Sequence, residues 1–388
     1  MRANPGGQLA PAEVVGRDAL IANLWRVLER QSVVLTAERR HGKTQVIKKM
    51  LAEPPPGKLP VYHDLEGVRT PMEFVEIVLE DVERFLSRWE RTAEGVRVLL
   101  GKLGGAQAGP LKLPPAVAPH WKRLLGEIMA DLVRHQEGRQ VVFLWDELPL
   151  MMDNISQSAG ERTAMELLDT LRALRQSHPG LRMVYTGSIG LHHVLAALRT
   201  AGYINPSTND MKTVEVEPLA PPDARQLAAA LLQGEELAVA QPGAAATAIA
   251  DEASNVPYYI HHIVDDLATQ GMPVEPTVIH ELVERRLRDP QDAWELRHYL
   301  ERVPRYYQKE LAPLANRVLD LLAHAEEPMG FSRLSQLLEG QGATPGVETI
   351  RELLRLLQRD HYVVQDAQNG YRFRLPLIQR AWRTQRPL

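Results

Sequence analysis

Gly42, Lys43 and Thr44 close the string AERRHGKT (37–44), which sits between the apolar, β-branched run SVVLTA (32–37) and a helical pattern that starts at Lys43. Glycine lets backbone N–H groups turn inward onto phosphate oxygens. A lysine at the next position can reach the β- and γ-phosphates of a nucleotide, and a Ser or Thr hydroxyl can ligate Mg²⁺. Ala37 stands where the usual pattern has glycine. Alanine still permits close approach but is penalised at positive φ. Arg39, Arg40, His41 and Gln45 belong to the same stretch, and with Ala37, Gly42, Lys43 and Thr44 they form the candidate nucleotide-binding set.

A second constellation is VVFLWDE (141–147), an apolar strand pattern ending in Asp146 and Glu147. In an open α/β sheet the C-terminal strand tips are where ligands sit. An aspartate there can share the Mg²⁺ shell with Thr44, and a neighbouring glutamate can polarise the attacking water. The third is VYTGS (184–188), where Thr186 and Ser188 are candidates to hydrogen-bond the γ-phosphate or the water. Ser188 is preferred, with a helix-capping role open as its alternative. The catalytic set is therefore Lys43, Glu147 and Ser188, and the metal set is Thr44 and Asp146.

These groups need a scaffold. Leu20, Ile21, Leu24, Val27 and Leu28 recur at helical intervals, with a cap expected near Asp18. Strands are expected at 32–37, 59–65, 138–147, 181–188 and 211–219, alternating with helices at 43–51, 71–89, 120–136, 161–176 and 190–199. Thr70 reads as the N-cap and Pro71 as the first position of the second of these helices. Alternation of this kind predicts a five-stranded parallel sheet covered on both faces. Residues 1–13 read as a flexible tail, 14–218 as the core with a Gly/Pro-rich insertion near 101–119, 219–300 as a helical lid, 301–310 as a linker and 311–388 as a winged helix. In the last stretch three helices precede strands flanking Asn369-Gly370, a hairpin-turn dipeptide.

Composition narrows the function classes. The chain has 388 residues, 44% hydrophobic and 24% charged, with 45 basic against 49 acidic residues and a net charge of −4. That excludes a globally basic nucleic-acid coat while leaving room for a local basic face. There are no cysteines, which removes thiolate metal sites, disulfides and cysteine nucleophiles. No apolar run approaches the ~18–20 residues that span a bilayer. With no signal-peptide pattern at the N-terminus, a cytoplasmic protein with no membrane partner is expected.

The succession VVGRDALIANL, AERRHGKTQVIKKM, VYHDLEGV, VVFLWDELPLM, RMVYTGSIGL, VEVEPLAPPDA and ASNVPYYIHHI resembles the archaeal-type P-loop ATPases, at the border of the AAA+ and STAND classes and related to the Orc1/Cdc6 group. The resemblance implies an α/β P-loop NTPase core with a helical lid and a C-terminal winged helix, binding ATP or ADP with Mg²⁺. It also implies that Gly16 and Arg17 lie against the adenine and that Pro257 packs near the base, with Asn255 in place of the usual glycine. An interhelical turn is the other reading of Pro257. No sensor arginine of the initiator group is visible, which turns the resemblance toward STAND switches.

The expected activity is a Mg²⁺-dependent ATPase switch. The alternatives are an ATP-licensed DNA-binding protein and an ADP-bound protein regulator. Arg351, Arg355 and Arg359 on helix 346–359, with Arg372, Arg374, Arg380, Arg383 and Arg386, offer cations to DNA phosphates, and a protein client is an equal reading. Arg172 and Arg175 could act in trans in a homo-oligomer, although a solvated helix face is the simpler reading. The pairs His192-His193 and His261-His262 are not expected to share a metal ion, because adjacent helical side chains diverge by ~100°.

Overall fold

The structure is a computed structural model. It describes residues 1–86, 120–135, 138–187, 190–200, 202–340 and 346–386. The expected insertion at 101–119, and Ser188, lie outside the described residues. By their contacts the residues fall into two compact units. A sheet unit comprises Ala10–Ala37 and Lys43–Val216, and a helical unit comprises Met1–Leu9, Glu38–Gly42 and Glu217–Leu388.

In the sheet unit, α1 (Asp18–Leu28) leads to β1 (Val33–Thr36), α2 (Lys43–Ala52), β2 (Lys58–Asp64), α3 (Pro71–Leu86), α4 (Trp121–Arg134) and β3 (Gln140–Asp146). Then come α5 (Leu148–Ala159), α6 (Glu161–Ser177), β4 (Leu181–Tyr185), α7 (Leu191–Thr200) and β5 (Lys212–Glu215). The five strands pair in the order β2-β3-β4-β1-β5, all parallel. Strand β4 therefore separates β1 from β3, so the loop after β1 and the acidic tip of β3 are two strands apart.

Both faces of the sheet are buried, and β3 shows why its sequence is apolar throughout. Val141, Phe143 and Trp145 enter one core with α3 to α7, while Val142 and Leu144 enter the other with Leu24, Leu28, Val46 and Met50 of α1 and α2. Trp145 is fully buried and stacks on Phe143 and Tyr185 at centroid distances of 4.9 and 6.0 Å, with the Phe74 ring edge-on at 5.1 Å. Pinning Trp145 this way fixes the strand just before Asp146. Thr70 does cap α3: its hydroxyl accepts the Glu73 N–H at 3.2 Å while Glu73 Oε2 accepts the Thr70 N–H at 3.3 Å. Helix α1 begins differently from expectation, with Arg17 at the N-cap and Asp18 already in the first turn.

The helical unit continues with α8 (Pro221–Gly234), α9 (Pro242–Glu252), α10 (Pro257–Gln270), α11 (Pro276–Leu287) and α12 (His298–Tyr306). Each of the first four has proline in its opening turn, where the missing N–H costs nothing. Residues 1–9 count with this unit; the Ala3 N–H donates to Glu235 Oε1 at 2.8 Å and the Asn4 N–H to His261 Nδ1 at 3.1 Å. Helices α13 (Ala312–His324), α14 (Phe331–Gly340) and α15 (Val347–Arg359) follow, with β6 (Met329–Gly330), β7 (Val363–Gln365), β8 (Gly370–Phe373) and α16 (Pro376–Gln385). The three strands form an antiparallel sheet in the order β6-β8-β7.

The β7–β8 hairpin forms where expected, but not on an Asn-Gly two-residue turn. Its loop is Asp366–Asn369: Asn369 is left-handed at φ 63°, and Asp366 Oδ1 accepts the N–H groups of Gln368 and Gly370. Gly370 already belongs to β8. It is glycine because a Cβ there would lie 2.7 Å from the Pro328 Cβ. No helix of the described residues is long and apolar enough to cross a membrane.

Candidate nucleotide-binding site

In the sheet unit, α2 begins at Lys43, so Lys43 and Thr44 stand at the positive end of a helix dipole. Lys43 is buried, and its Nζ donates to the Ala37 carbonyl at 3.0 Å, curling back over the start of the loop. Thr44 Oγ1 donates to Asp146 Oδ2 at 2.7 Å across the two-strand gap. The hydroxyl and carboxylate expected to share a cation are thus in contact, and both are hard oxygen donors of the kind Mg²⁺ prefers.

Asp146 is 3% exposed. Burial pushes its carboxyl above the ordinary range. The Thr44 hydrogen bond, the Glu147 amide and the charge of Lys43 draw it back down, while Asp64 pushes it further up. Asp64 is its direct register partner at the tip of β2. A divalent cation beside this pair would relieve both the burial and the repulsion, which is the second reason the donor set fits one.

Glu147 is the N-cap of α5 and sits at φ 54°, ψ 28°, in the left-handed region. A non-glycine residue held there stores strain, and such residues concentrate at functional sites. The tip of β4 closes in beside it. A Cβ added to Gly187 would lie 2.7 Å from Pro149 Cδ and 3.3 Å from Glu147 Oε2, so a side chain there would clash with Pro149 and crowd the carboxylate. Gly187 escaped the sequence reading, although it lies inside the VYTGS string. Thr186, the lesser candidate there, is 2% exposed and its Oγ1 has no hydrogen-bond partner among the described residues, whereas its own N–H donates to the Trp145 carbonyl and its carbonyl accepts the Leu148 N–H.

Gly16 is left-handed at φ 70° and Arg17 is buried at 6% exposure, immediately before α1. Gln45 lies one residue beyond Thr44 on α2. Within the loop, Arg40 and Gly42 both have positive φ, at 69° and 83°. His41 is buried, its Nδ1 3.2 Å from the Arg39 carbonyl.

The loop residues 38–42 count with the helical unit, and their side chains show why. Arg40 is ion-paired with Glu295 and lies 4.6 Å from the centroid of the Tyr258 ring. Arg39 reaches Glu295 at 3.2 Å and His298 Nδ1 at 3.3 Å, and Glu38 is ion-paired with Arg302. Pro257, at the start of α10, is thereby one residue from an Arg40 contact. Asn255 sits at φ 58°, the backbone conformation a glycine would supply, and asparagine is among the residues that tolerate it.

Several other expectations need correction. Arg175 is neither a solvated side chain nor available in trans. Its guanidinium is 3% exposed and makes two 2.9 Å bonds to Asp210, with further bonds to Tyr185 Oη at 2.6 Å and the Ser207 carbonyl at 2.7 Å. His192 and His193 do not diverge as mid-helix residues would. They occupy the first turn of α7, and their ring centroids are 4.4 Å apart. Much of the C-terminal positive charge is committed internally. Arg380 pairs with Glu252 and Glu284, Arg386 pairs with Asp320, and Arg383 donates to the Ala323 carbonyl.

Comparison with known proteins decides the fold. A Walker-type ATPase of Pyrococcus abyssi superposes with a TM-score of 0.67 at 17% identity, covering 95% of this chain and 96% of that one. The chain has the fold of a Walker-type ATPase. The ORC2 protein of Aeropyrum pernix, solved in ADPNP and ADP complexes, superposes with a TM-score of 0.52 at 14% identity over 98% of this chain and 95% of that one. No protein-family model and no curated protein matches the sequence. At these identities the likeness is one of architecture, spanning the sheet unit and the helical unit alike.

Proposed function

We propose that the chain is a cytoplasmic, Mg²⁺-dependent ATPase of the AAA+/STAND type whose nucleotide state sets the conformation of a helical lid (219–300) and a C-terminal winged helix (311–388). The Thr44–Asp146 contact at 2.7 Å, with Glu147 next in sequence, is the observation that carries this reading.

The α2 N-terminus and the loop amides would hold the phosphates, and Lys43 would leave the Ala37 carbonyl to reach the β- and γ-oxygens. Thr44 and Asp146 would hold Mg²⁺, which when bound neutralises charge on the β- and γ-phosphates. Glu147 accepts a proton from water as its oxygen attacks the γ-phosphorus, and the bond to the β–γ bridging oxygen breaks to leave ADP and phosphate. Ser188, or Thr186 whose buried Oγ1 has no hydrogen-bond partner among the described residues, would hydrogen-bond the γ-phosphate or the water. Gly16, Arg17 and Pro257 would flank the base.

Titration of the chain with Mg²⁺ and a fluorescent ATP analogue, alongside steady-state phosphate release, tests the assignment. Lys43→Ala should abolish binding, and Glu147→Gln should bind normally while turnover falls at least ~100-fold. Turnover at the parental rate in Glu147→Gln would sink the catalytic assignment.

A DNA-binding reading keeps one specific support. On α15 the core positions Ile350, Leu353, Leu354 and Leu357 are buried, while Arg351, Arg355 and Arg359 are exposed on the opposite side. Arg351 is partly engaged by Glu348 at 2.5 Å.

A further inference from the structure

Glu38 is an unexpected residue for a phosphate loop. It follows Ala37 directly, in a segment that must receive the most anionic part of a nucleotide, yet it is a carboxylate and is 2% exposed. Its partner is Arg302 of α12, itself 6% exposed. Arg302 in turn faces Asp360, the C-cap of α15, at 3.7 Å, and its guanidinium carbon lies 5.4 Å from the Tyr362 ring centroid.

Tyr307 Oη donates to the other oxygen of Asp360 at 2.5 Å, and Tyr362 Oη donates to the Tyr299 carbonyl at 2.5 Å. Asp360, Tyr307 and Tyr362 are each no more than 5% exposed. Burial works against the charge on Arg302, but Glu38, Tyr362, Asp360 and Tyr307 together hold its pKa above the ordinary value. The whole chain of contacts lies within the helical unit and ends one residue before β7.

We propose that Arg302 is a positioning residue of the phosphate loop, neutralising Glu38 so that the loop can accept a polyphosphate and tying the loop to the base of the β7–β8 hairpin. This rests on the nucleotide-binding reading above. A buried carboxylate left without its cation repels an incoming anion and is costly in itself. Removing both charges removes the repulsion. The loss on removing Arg302 should also grow with ligand charge, so it should be larger for ATP than for ADP. A residue that merely stabilised the fold would weaken both nucleotides alike.

The test uses the full chain with Mg²⁺ and fluorescent, slowly hydrolysed ATP and ADP analogues, with thermal melts on every variant. Arg302→Gln should weaken the ATP analogue at least about tenfold and the ADP analogue less, and Glu38→Gln/Arg302→Gln should return to within about threefold of the parent. Parental affinity for both nucleotides in Arg302→Gln overturns the proposal. So does a double variant that folds like the parent and still binds as weakly as Arg302→Gln.

Should Arg302→Gln fail to fold, Glu38→Gln decides by hydrogen exchange. Nucleotide should slow exchange at 298–306 and 360–365 in the parent and leave Glu38→Gln unaffected there, and equal protection in both refutes the link. A parent chain that binds no nucleotide at all brings down the ATPase reading first, and this proposal with it.

Discussion

Glu147 offers a way to separate backbone strain from chemistry at one position. It sits at φ 54°, ψ 28°, where a Cβ costs roughly 1–2 kcal/mol relative to glycine. Glu147→Ala and Glu147→Gly both delete the carboxylate and every bond it makes, so the difference between them isolates the backbone. Glycine's larger unfolded-state freedom offsets about 0.4–1 kcal/mol, leaving a net advantage for glycine of roughly 0.5–1 kcal/mol. For a unit of about 200 residues that corresponds to a melting temperature higher by about 1–4 °C in the Gly variant than in the Ala variant. Differential scanning calorimetry on nucleotide-free protein reads the difference, and phosphate release should be lost in both. A Gly variant no more stable than the Ala variant would refute the claim that the backbone is strained at the catalytic position.

Two further outcomes follow from the charge arrangement. Arg175→Met should destabilise the sheet unit by about 3 kcal/mol in urea titration, because it strands Asp210 and unpairs Tyr185 Oη, yet mixing it with Glu147→Gln should restore no activity in trans. Unchanged stability would contradict the buried-clamp assignment. His262 and His298 are pushed down by burial to about 4 and about 3 from 6.5. Both are neutral in the folded chain while the unfolded chain gains protons below 6.5, so stability is full above that value and falls as the pH drops. Allowing for their partial contact with solvent, the helical unit should lose roughly 1 kcal/mol per pH unit between pH 6.5 and 5. Denaturant curves should show this slope, and His262→Leu/His298→Gln should flatten it; an unaltered slope rules the histidines out.

Much of the sheet unit was legible because its signals are local. The β-branched run before AERRHGKT, the Thr70-Pro71 start and the two-faced apolar pattern of VVFLW each follow from backbone and burial physics acting over a few residues. Helix α5 was missed although Leu148, Met151, Met152 and Ile155 have helical spacing, because the strand runs into it with only Glu147 between. Arg175 was misread because helical periodicity shows which residues lie together but not that Asp210 and Tyr185 would meet it from distant segments. The same limit hid the anchoring of Glu38, Arg39 and Arg40, whose partners lie more than 250 residues away. Gly187 was invisible for a different reason: its role is the space it leaves for Pro149.

The distribution of left-handed residues ties these observations together. Outside glycine, positive φ occurs among the described residues at Arg40, Glu147, Glu236, Ser254, Asn255, Asp292, Glu295, His361 and Asn369. All lie in connections between elements, where such geometry is routine. Several bear on the candidate site: Arg40 and Glu295 are the two partners of one ion pair, Glu147 bears the proposed base, and Asn255 precedes the Pro257 turn. His361 joins Asp360 to Tyr362 in the buried charge chain. The Arg40–Glu295 ion pair thus joins two left-handed residues, one in the loop after β1 and one in the connection between α11 and α12. An anion arriving at Arg40 would compete with Glu295 for the same guanidinium.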